Sequence, residues 1–236
     1  MADIKINGAT PSGFYYGSTA ASAVYYGSTK LWESGPAPYN VIGGKTYPTV
    51  TMPDGHEWLA VNLDYAWSGL SVPTSSATTS SSPQAVYYNY DESTYGWNGT
   101  KYGLLYNGIA VRYLENNKNT LCPGWHVPSS SEYDALLTAI GSGAAGKLKS
   151  TSGWEDLNGT DIYGFGIVPA GQFSDAGFGI EFKEIYSTGY LWTNPSSASA
   201  TGSTAKYWQA SSNSYTYSQN YNLTAYHFSI RLIKDY

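Results

Sequence analysis

The residues of this sequence that could carry out chemistry are one cysteine, three histidines and 17 acidic residues. Cys122 has no base placed near it by the sequence spacing, and we interpret it as a structural thiol rather than a nucleophile. His56, His126 and His227 are far apart and lack the spacing of a metal-binding motif. His126 lies between two apolar residues, which favours a packed structural histidine. Because the acidic residues form neither a calcium loop nor an acid–base pair, we expect no catalytic residue, no metal site and no cofactor.

A glycine-rich segment, 141–146 (GSGAAG), matches the GxGxxG pattern of dinucleotide-binding sites, and Lys147 follows it as in a P-loop. Both phosphate-binding motifs need a strand before the loop and a helix after it, so that the phosphates meet the helix N-terminus. Here the preceding segment is predicted to be a helix, and Leu148 stands where a P-loop needs serine or threonine. We interpret the segment as the loop that ends this helix, and we predict that the chain is not an enzyme.

The composition excludes several classes of protein. Charged residues make up only 12% of the 236 residues, the net charge is −5 and Lys and Arg do not cluster, which argues against nucleic-acid binding. No run of about 18 apolar residues encodes a membrane span, so we expect no membrane insertion. The N-terminal residues lack the basic and apolar regions of a secretory signal. Aromatic residues reach 16%, and with Ser, Asn and Gly they form the residue set typical of binding loops.

The segments that would position such loops are short. A helix is predicted over 131–140, where one of three consecutive serines from Ser129 onward caps the N-terminus and Glu132 completes a capping box. A second helix is expected around 109–115. Strands are predicted at 45–51, 57–63, 163–168, 171–173, 190–193, 206–209 and 228–233. Two short helices among many short strands predict an α+β domain.

The N-terminal residues 1–35 are predicted to form a separate β module. The segment 14–19 (FYYGST) recurs ten residues later as 24–29 (VYYGST), which indicates short strands and Gly-Ser turns. Because two isolated strands are only marginally stable in water, we expect this module to attach to the main domain, another subunit or a larger assembly. Residues 36–40 contain two prolines and are predicted to be a linker. Residues 41–236 then form the main domain.

The C-terminal stretch 207–227 differs from the rest of the sequence. Five Tyr, four Ser, three Asn and two Thr occur among its 21 residues, without the alternating apolar residues of a core strand. Apolar segments, 189–193 and 228–233, flank this stretch. A polar and aromatic surface is therefore predicted between two rigid strands, as in binding loops held by a scaffold. A plain solvent-facing β-meander is the alternative.

Several sequence blocks occur in a characteristic order: 102–107 (YGLLYN), 121–129 (LCPGWHVPS), 146–154 (GKLKSTSGW), 158–165 (NGTDIYGF), 168–171 (VPAG), 190–193 (YLWT) and 229–232 (SIRL). In this order they resemble the Fibrobacter succinogenes major paralogous domain family over about residues 40–235. The resemblance implies a C-type-lectin-like fold related to the fold of the formylglycine-generating enzyme. The catalytic cysteine pair of that enzyme is absent, since Cys122 is the single cysteine. Calcium-dependent sugar binding is not supported either, because 192–195 (WTNP) is the nearest sequence to its motifs.

The residue bias of the C-terminal stretch is similar to that of the variable proteins of diversity-generating retroelements. In these proteins adenine-directed mutagenesis rewrites Asn codons into Tyr, Ser, Asp and His codons. The resemblance implies a diversified ligand-binding surface formed by Tyr190, Trp192, Asn194, Tyr207, Gln209, Ser211, Asn213, Tyr215, Tyr217, Asn220, Tyr221, Asn222 and Tyr226. Trp192 also belongs to a family block, so a place in the core is the favoured alternative for this residue.

We therefore expect a ligand-display or receptor-binding protein, with a phage tail or fibre adhesin as the leading hypothesis, since the N-terminal repeat resembles modules of phage tail proteins. The expected partners are a bacterial cell-surface protein or polysaccharide and, through the N-terminal module, other virion proteins. Such a protein would be made in the host cytoplasm and assembled into the virion, and a fibre-tip role favours a homotrimer. The alternative is a bacterial cell-surface adhesin or structural protein of fixed sequence.

Overall fold

The computed structural model describes residues 15–16, 19–20, 23–26, 29–33, 40–72, 82–87, 102–174, 181–194, 204–210, 215–222 and 225–236. The chain divides into two compact units, Met1–Val41 and Ile42–Tyr236. Within the described segments, no helix has the length and apolar character needed to cross a membrane.

The described residues of the first unit form two antiparallel strand pairs, one at each copy of the ten-residue repeat. In both copies, the last residue of one strand pairs with the first residue of the next, on either side of the Gly-Ser dipeptide. The repeat therefore forms four short strands rather than the two that its pattern predicted: β1 Tyr15–Tyr16, β2 Thr19–Ala20, β3 Ala23–Tyr26 and β4 Thr29–Glu33. The attachment role of this unit stays a prediction.

The second unit has four helices among its described residues: α1 Gly108–Asn116, α2 Lys118–Leu121, α3 Ser130–Ile140 and α4 Ala144–Leu148. The two predicted helices, α1 and α3, are confirmed. The capping box of α3 is also confirmed, because Ser129 Oγ accepts from Glu132 N at 3.2 Å and Glu132 Oε2 accepts from Ser129 N at 2.7 Å. The glycine-rich segment after α3 was expected to be only a loop, but its last residues begin the five-residue α4, and Gly143, at a φ of 70°, is the N-cap of that helix.

The strands that follow β4 are short and antiparallel. They are β5 Val41–Ile42, β6 Lys45–Thr46, β7 Thr49–Thr51, β8 Glu57–Leu59, β9 Ala85–Tyr87, β10 Leu104–Asn107, β11 Trp125–His126, β12 Gln172–Ser174, β13 Glu181–Lys183, β14 Gly189–Trp192, β15 Thr204–Ala210, β16 Tyr215–Asn222, β17 Tyr226–Phe228 and β18 Ile233–Lys234. They form a five-stranded sheet in the order β13-β12-β17-β10-β9, a four-stranded sheet β11-β18-β8-β7, a three-stranded sheet β14-β15-β16 and the pair β5-β6. The α+β class is thus confirmed.

Two strand predictions were wrong for reasons of tertiary structure. Segment 163–168 contains no strand and makes only an isolated bridge from Ile167 to Lys149. Segment 228–233 was predicted to be one strand with alternating exposure, but it belongs to two strands in two different sheets. The residues between these strands cross the interior, where Ser229 and Arg231 are both fully buried. Burial on both sides removes the inside–outside alternation that the prediction assumed.

Among the described residues of the second unit, the buried side chains form three core clusters. The largest contains Trp125, Trp192 and Phe228, and the second contains Trp58, Tyr133 and Phe165. A third, smaller cluster lies around Phe173. Strand β14 contributes to the first two clusters, since Tyr190 and Trp192 belong to the largest and Leu191 to the second. This strand therefore lies between the two main parts of the core.

Candidate functional site

The predicted surface corresponds to the three-stranded sheet β14-β15-β16, and β14 holds this sheet to the core. Trp192 N donates to Ser229 O at 3.0 Å, and Ser229 N donates to Tyr190 O at 3.2 Å. Just after the strand, Asn194 N donates to Pro128 O at 2.7 Å. These backbone hydrogen bonds join β14 to the chain between β17 and β18 and to the residues that precede α3.

Two residues of the predicted surface are core residues instead. Trp192 is fully buried, its Nε1 donates to Tyr106 O at 2.7 Å, and its ring lies 4.7 Å from that of Phe228. The core alternative for Trp192 is thus confirmed. Tyr190 is only 5% exposed and stacks on Phe228 at 4.9 Å, so its place on the predicted surface was wrong. The apolar environment of β14 on both sides accounts for the burial of both residues.

The other predicted surface residues differ in how far the structure describes them. Asn194 and Tyr226 are half-buried, and the Tyr226 ring lies 5.9 Å from that of Phe228. Ser211 and Asn213 lie outside the described residues. The backbone alone is described for those in β15 and β16, namely Tyr207, Gln209, Tyr215, Tyr217, Asn220, Tyr221 and Asn222.

The register of the sheet sorts these positions into rows. Tyr207 pairs with Trp192 and Gln209 pairs with Tyr190, so these two positions lie next to residues of the largest cluster. Tyr217 pairs with Trp208, which pairs with Leu191 of the second cluster. Paired residues of antiparallel strands lie side by side across the sheet. The sequence-predicted positions therefore belong to both sets of alternate positions along the strands, and not to one set alone.

A fully buried arginine lies close to the chain that supports β14. Arg231 Nη2 donates to Asn62 Oδ1 at 2.9 Å, and Nη1 donates to the backbone carbonyls of Phe165 and Leu59. Burial lowers the pKa of Arg231 to about 10, while the nearby Asp161 and Tyr133 act in the opposite direction. The guanidinium remains protonated at neutral pH, and its hydrogen bonds tie the C-terminal residues to segments more than 60 residues away.

The half-buried His126 joins three segments through carboxylates. His126 Nδ1 lies 2.6 Å from Asp235 Oδ1, and Nε2 lies 2.8 Å from Glu132 Oε1. Burial lowers the pKa of His126, but the hydrogen bonds with Glu132 and Asp235 outweigh it and the net shift is upward. Burial raises the pKa of Glu132, yet its bonds with His126 and Ser129 bring the value down to about 2. His126 therefore has the predicted structural role, supported by ion pairs rather than by apolar packing.

Comparison with known families relates the second unit to one of them. The family model of the Fibrobacter succinogenes major domain matches residues 54–234, which is most of the second unit. The chain belongs to this family. A search of curated proteins and a search of solved structures gave no match to the chain.

The blocks that suggested the Fibrobacter succinogenes major domain have structural roles in this chain. Asn107, at the end of the first block, caps α1 by accepting from Ala110 N at 2.8 Å and also accepts from Gln84 N at 3.1 Å. Gly159 lies so close to the backbone of Lys149 that a Cβ there would be 2.0 Å from Lys149 O. Packing and hydrogen bonding therefore account for Asn107 and Gly159 in these blocks.

Two of the titratable residues that could have supported chemistry, Cys122 and His227, are buried. Cys122 is fully buried, and burial raises the pKa of its thiol to about 12, so the structural interpretation is confirmed. His227 is fully buried beside Phe173, its Nε2 lies 3.1 Å from Gln84 Oε1, and burial lowers its pKa to about 3. Among the described residues, no group of three His, Cys, Asp or Glu side chains could hold a metal ion.

One residue beside the sheet, Glu184, was not predicted from the sequence. Its side chain is exposed, and its Oε2 accepts hydrogen bonds from Tyr190 Oη and from Gln172 Nε2. The backbone of Glu184 has a φ of 60°, in the left-handed region that glycine and asparagine favour. Nothing in the local sequence indicates this conformation, so no pattern could have drawn attention to the residue.

Proposed function

We propose that this member of the Fibrobacter succinogenes major domain family is a ligand-display protein of C-type-lectin-like fold, and that strands β15 and β16 form its binding surface. The observation that carries the proposal is the contrast within one sheet. All four residues of β14 are buried, whereas β16 (YTYSQNYN) is composed of polar and aromatic residues without a charge. Tyr and Trp give large contact area at low entropic cost, and Ser and Asn give adaptable hydrogen bonds.

We further propose that a diversity-generating retroelement rewrites this surface. The hydrogen bonds between β15 and β16 are made by the backbone, and β14 is fixed to the core by its own contacts. Side chains of β15 and β16 can then change while the pairing of the two strands is kept. The abundance of Tyr, Ser and Asn over 207–227 is what repeated substitution at adenines of Asn codons would produce.

The expected setting is a phage tail or fibre, where the first unit binds other virion proteins and the C-terminal surface binds a bacterial cell-surface protein or polysaccharide. The ten-residue repeat and its paired strands support an attachment role for the first unit, because such short hairpins gain stability from a partner. A bacterial cell-surface adhesin of fixed sequence is the competing proposal.

The test is to sequence a few kilobases of DNA on both sides of the gene. We expect a near-copy of the codons for residues 188–235 that differs mainly at adenines, next to a reverse-transcriptase gene. Finding the copy would establish a diversified surface. Different variants of the protein would then be expected to bind different ligands rather than one fixed ligand. If neither the copy nor the reverse transcriptase is present, the surface is fixed and the adhesin becomes the better proposal.

A further inference from the structure

The turn before β14 contains two non-glycine residues in the left-handed region. Glu184 has a φ of 60° and Tyr186 has a φ of 69°, and Asp161 is the third such residue among those described. Each conformation of this kind costs about 1–3 kcal/mol and persists only where the surrounding structure imposes it. Two of them within three residues indicate that the position of this turn is determined by tertiary contacts.

The contacts that impose this conformation can be named. Tyr186 N donates to Pro169 O at 3.1 Å, and Tyr186 O accepts from Glu155 N at 2.8 Å. Gly171 lies directly against the turn, since a Cβ there would be 2.3 Å from Lys183 O. The backbone of Glu184 is therefore held between two neighbouring segments, and the direction of its side chain does not depend on a flexible loop.

The carboxylate of Glu184 is held by neutral donors. Its Oε2 accepts from the Tyr190 hydroxyl and from Gln172 Nε2, the latter at 3.2 Å. Within the described part of the chain, no Lys, Arg or His forms an ion pair with it, in contrast to Glu57 and Glu132, which pair with Lys234 and His126. An exposed anion that is already oriented loses little entropy when it binds a cation.

The position of Glu184 relates it to the proposed surface. Its donor Tyr190 lies on β14, in the row that continues through Gln209 on β15 to Thr216 on β16. The net charge of −5 also favours the approach of cationic ligands over anionic ones. A ligand seated on the hairpin would thus meet a fixed carboxylate at the β14 end of that row.

We propose that Glu184, oriented by Tyr190 and Gln172, is an invariant recognition point for an arginine or lysine side chain of a protein ligand. This inference rests on the proposed binding role of the sheet and specifies the chemistry of its target. A guanidinium presents several donors in a rigid fork and is more weakly hydrated than an ammonium, so arginine is expected to bind this carboxylate more tightly than lysine. Diversified residues would select among ligands, while this carboxylate would supply one constant contact.

The experiment is an NMR titration of the full chain with Nα-acetyl-arginine amide, observed at the side-chain amide of Gln172. We expect saturable shifts in the millimolar range, weaker binding of Nα-acetyl-lysine amide, and at least about a tenfold loss of affinity in Glu184→Gln. Tyr190→Phe should weaken binding less, because it removes one orienting donor and leaves the charge. The matched control is Asp134→Asn, which removes an exposed carboxylate on α3 and should leave the affinity unchanged.

Three results would overturn the inference: no saturable shift, equal affinity in wild type and Glu184→Gln, or an equal loss in Asp134→Asn, which would indicate only long-range charge. Binding of glucosamine in place of the arginine probe would contradict the protein-ligand assignment. The titration needs no diversified copy of the gene. Its failure is therefore distinguishable from failure of the proposed function, which the DNA sequence tests.

Discussion

Strands β14 and β16 belong to the same sheet, yet they are built from different residues and connected to the protein in different ways. All of β14 is buried, and its side chains enter two core clusters. The polar and aromatic β16 is an edge strand that pairs with β15. Within one sheet, β14 therefore carries contacts that hold the fold together, whereas β16 is the strand on which we propose the binding surface.

The largest effect should come from the β14 side of the comparison. Trp192→Ala removes a fully buried indole and its hydrogen bond to Tyr106 O, so we expect the free energy of unfolding to fall by about 3–5 kcal/mol. Urea denaturation measures this change. Trp192→Phe, which keeps most of the apolar volume, should cost clearly less. A loss below about 1 kcal/mol for the alanine variant would mean that β14 does not anchor the sheet.

For substitutions in β16 we predict loss of binding without loss of stability. Replacement of Tyr215, Tyr217 and Tyr221 together by Ala should abolish binding of labelled protein to target bacterial cells, since aromatic residues dominate interface energies. The melting temperature should stay within a few degrees, as for surface substitutions. Flow cytometry and thermal unfolding give the two measurements.

The matched control for this triple variant lies on the same strand. Ser218 and Gln219 changed together to Ala, which leaves Thr216 in place, should reduce binding less than the tyrosine variant does. If the tyrosine variant unfolds, β16 belongs to the core and the separation between the two strands is refuted.

A third prediction concerns pH and the chain that supports β14. The folded-state pKa of His126 is raised above 6.5, so its ion pairs stabilise the fold fully below that pH, and the stabilisation is lost as the pH rises through the folded-state value. His126→Gln should therefore cost about 1–3 kcal/mol at pH 6 and clearly less at pH 9. Urea denaturation at both pH values tests the sign, and a cost that grows with pH would contradict the assignment.

The smallest change in stability is expected at the Tyr190 hydroxyl, which reaches the exposed Glu184. Tyr190→Phe keeps the buried ring and removes only the hydroxyl that donates to Glu184, so the free energy of unfolding should fall by about 0.5–1.5 kcal/mol. A double-mutant cycle with Glu184→Gln should show that the two changes are coupled. Additive effects would show that the hydrogen bond does not contribute to stability.

Much of the fold could be predicted where the determinants are local. The capping box of Ser129 and Glu132 and the helical spacing of the apolar residues after it are properties of one short segment, and α3 forms as expected. The failed prediction over 228–233 depends on a property that no local pattern encodes. There the chain leaves one sheet and enters another through the interior, and Arg231 is buried because distant carbonyls accept its hydrogen bonds.

The candidate site could be located but not delimited from the sequence. The composition of 207–227 pointed to the sheet, and the family block indicated that Trp192 could be a core residue. Tyr190 was placed on the surface because a tyrosine beside a polar stretch is equally consistent with either location, and only the packing against Phe228 decides. Glu184 was missed because its conformation depends on contacts with Pro169 and Gly171, which lie elsewhere in the sequence.

The central positions of β17 and β18 have a consequence for synthesis. Each lies inside its sheet, and the hydrogen bond between Arg231 and Asn62 joins residues 169 positions apart. Neither sheet can be completed until residues 226–234 have emerged from the ribosome, so this domain is expected to fold late and slowly. Variants cut short by a premature stop codon within 207–227 would lack both strands, and cellular proteases would remove them before they could be displayed.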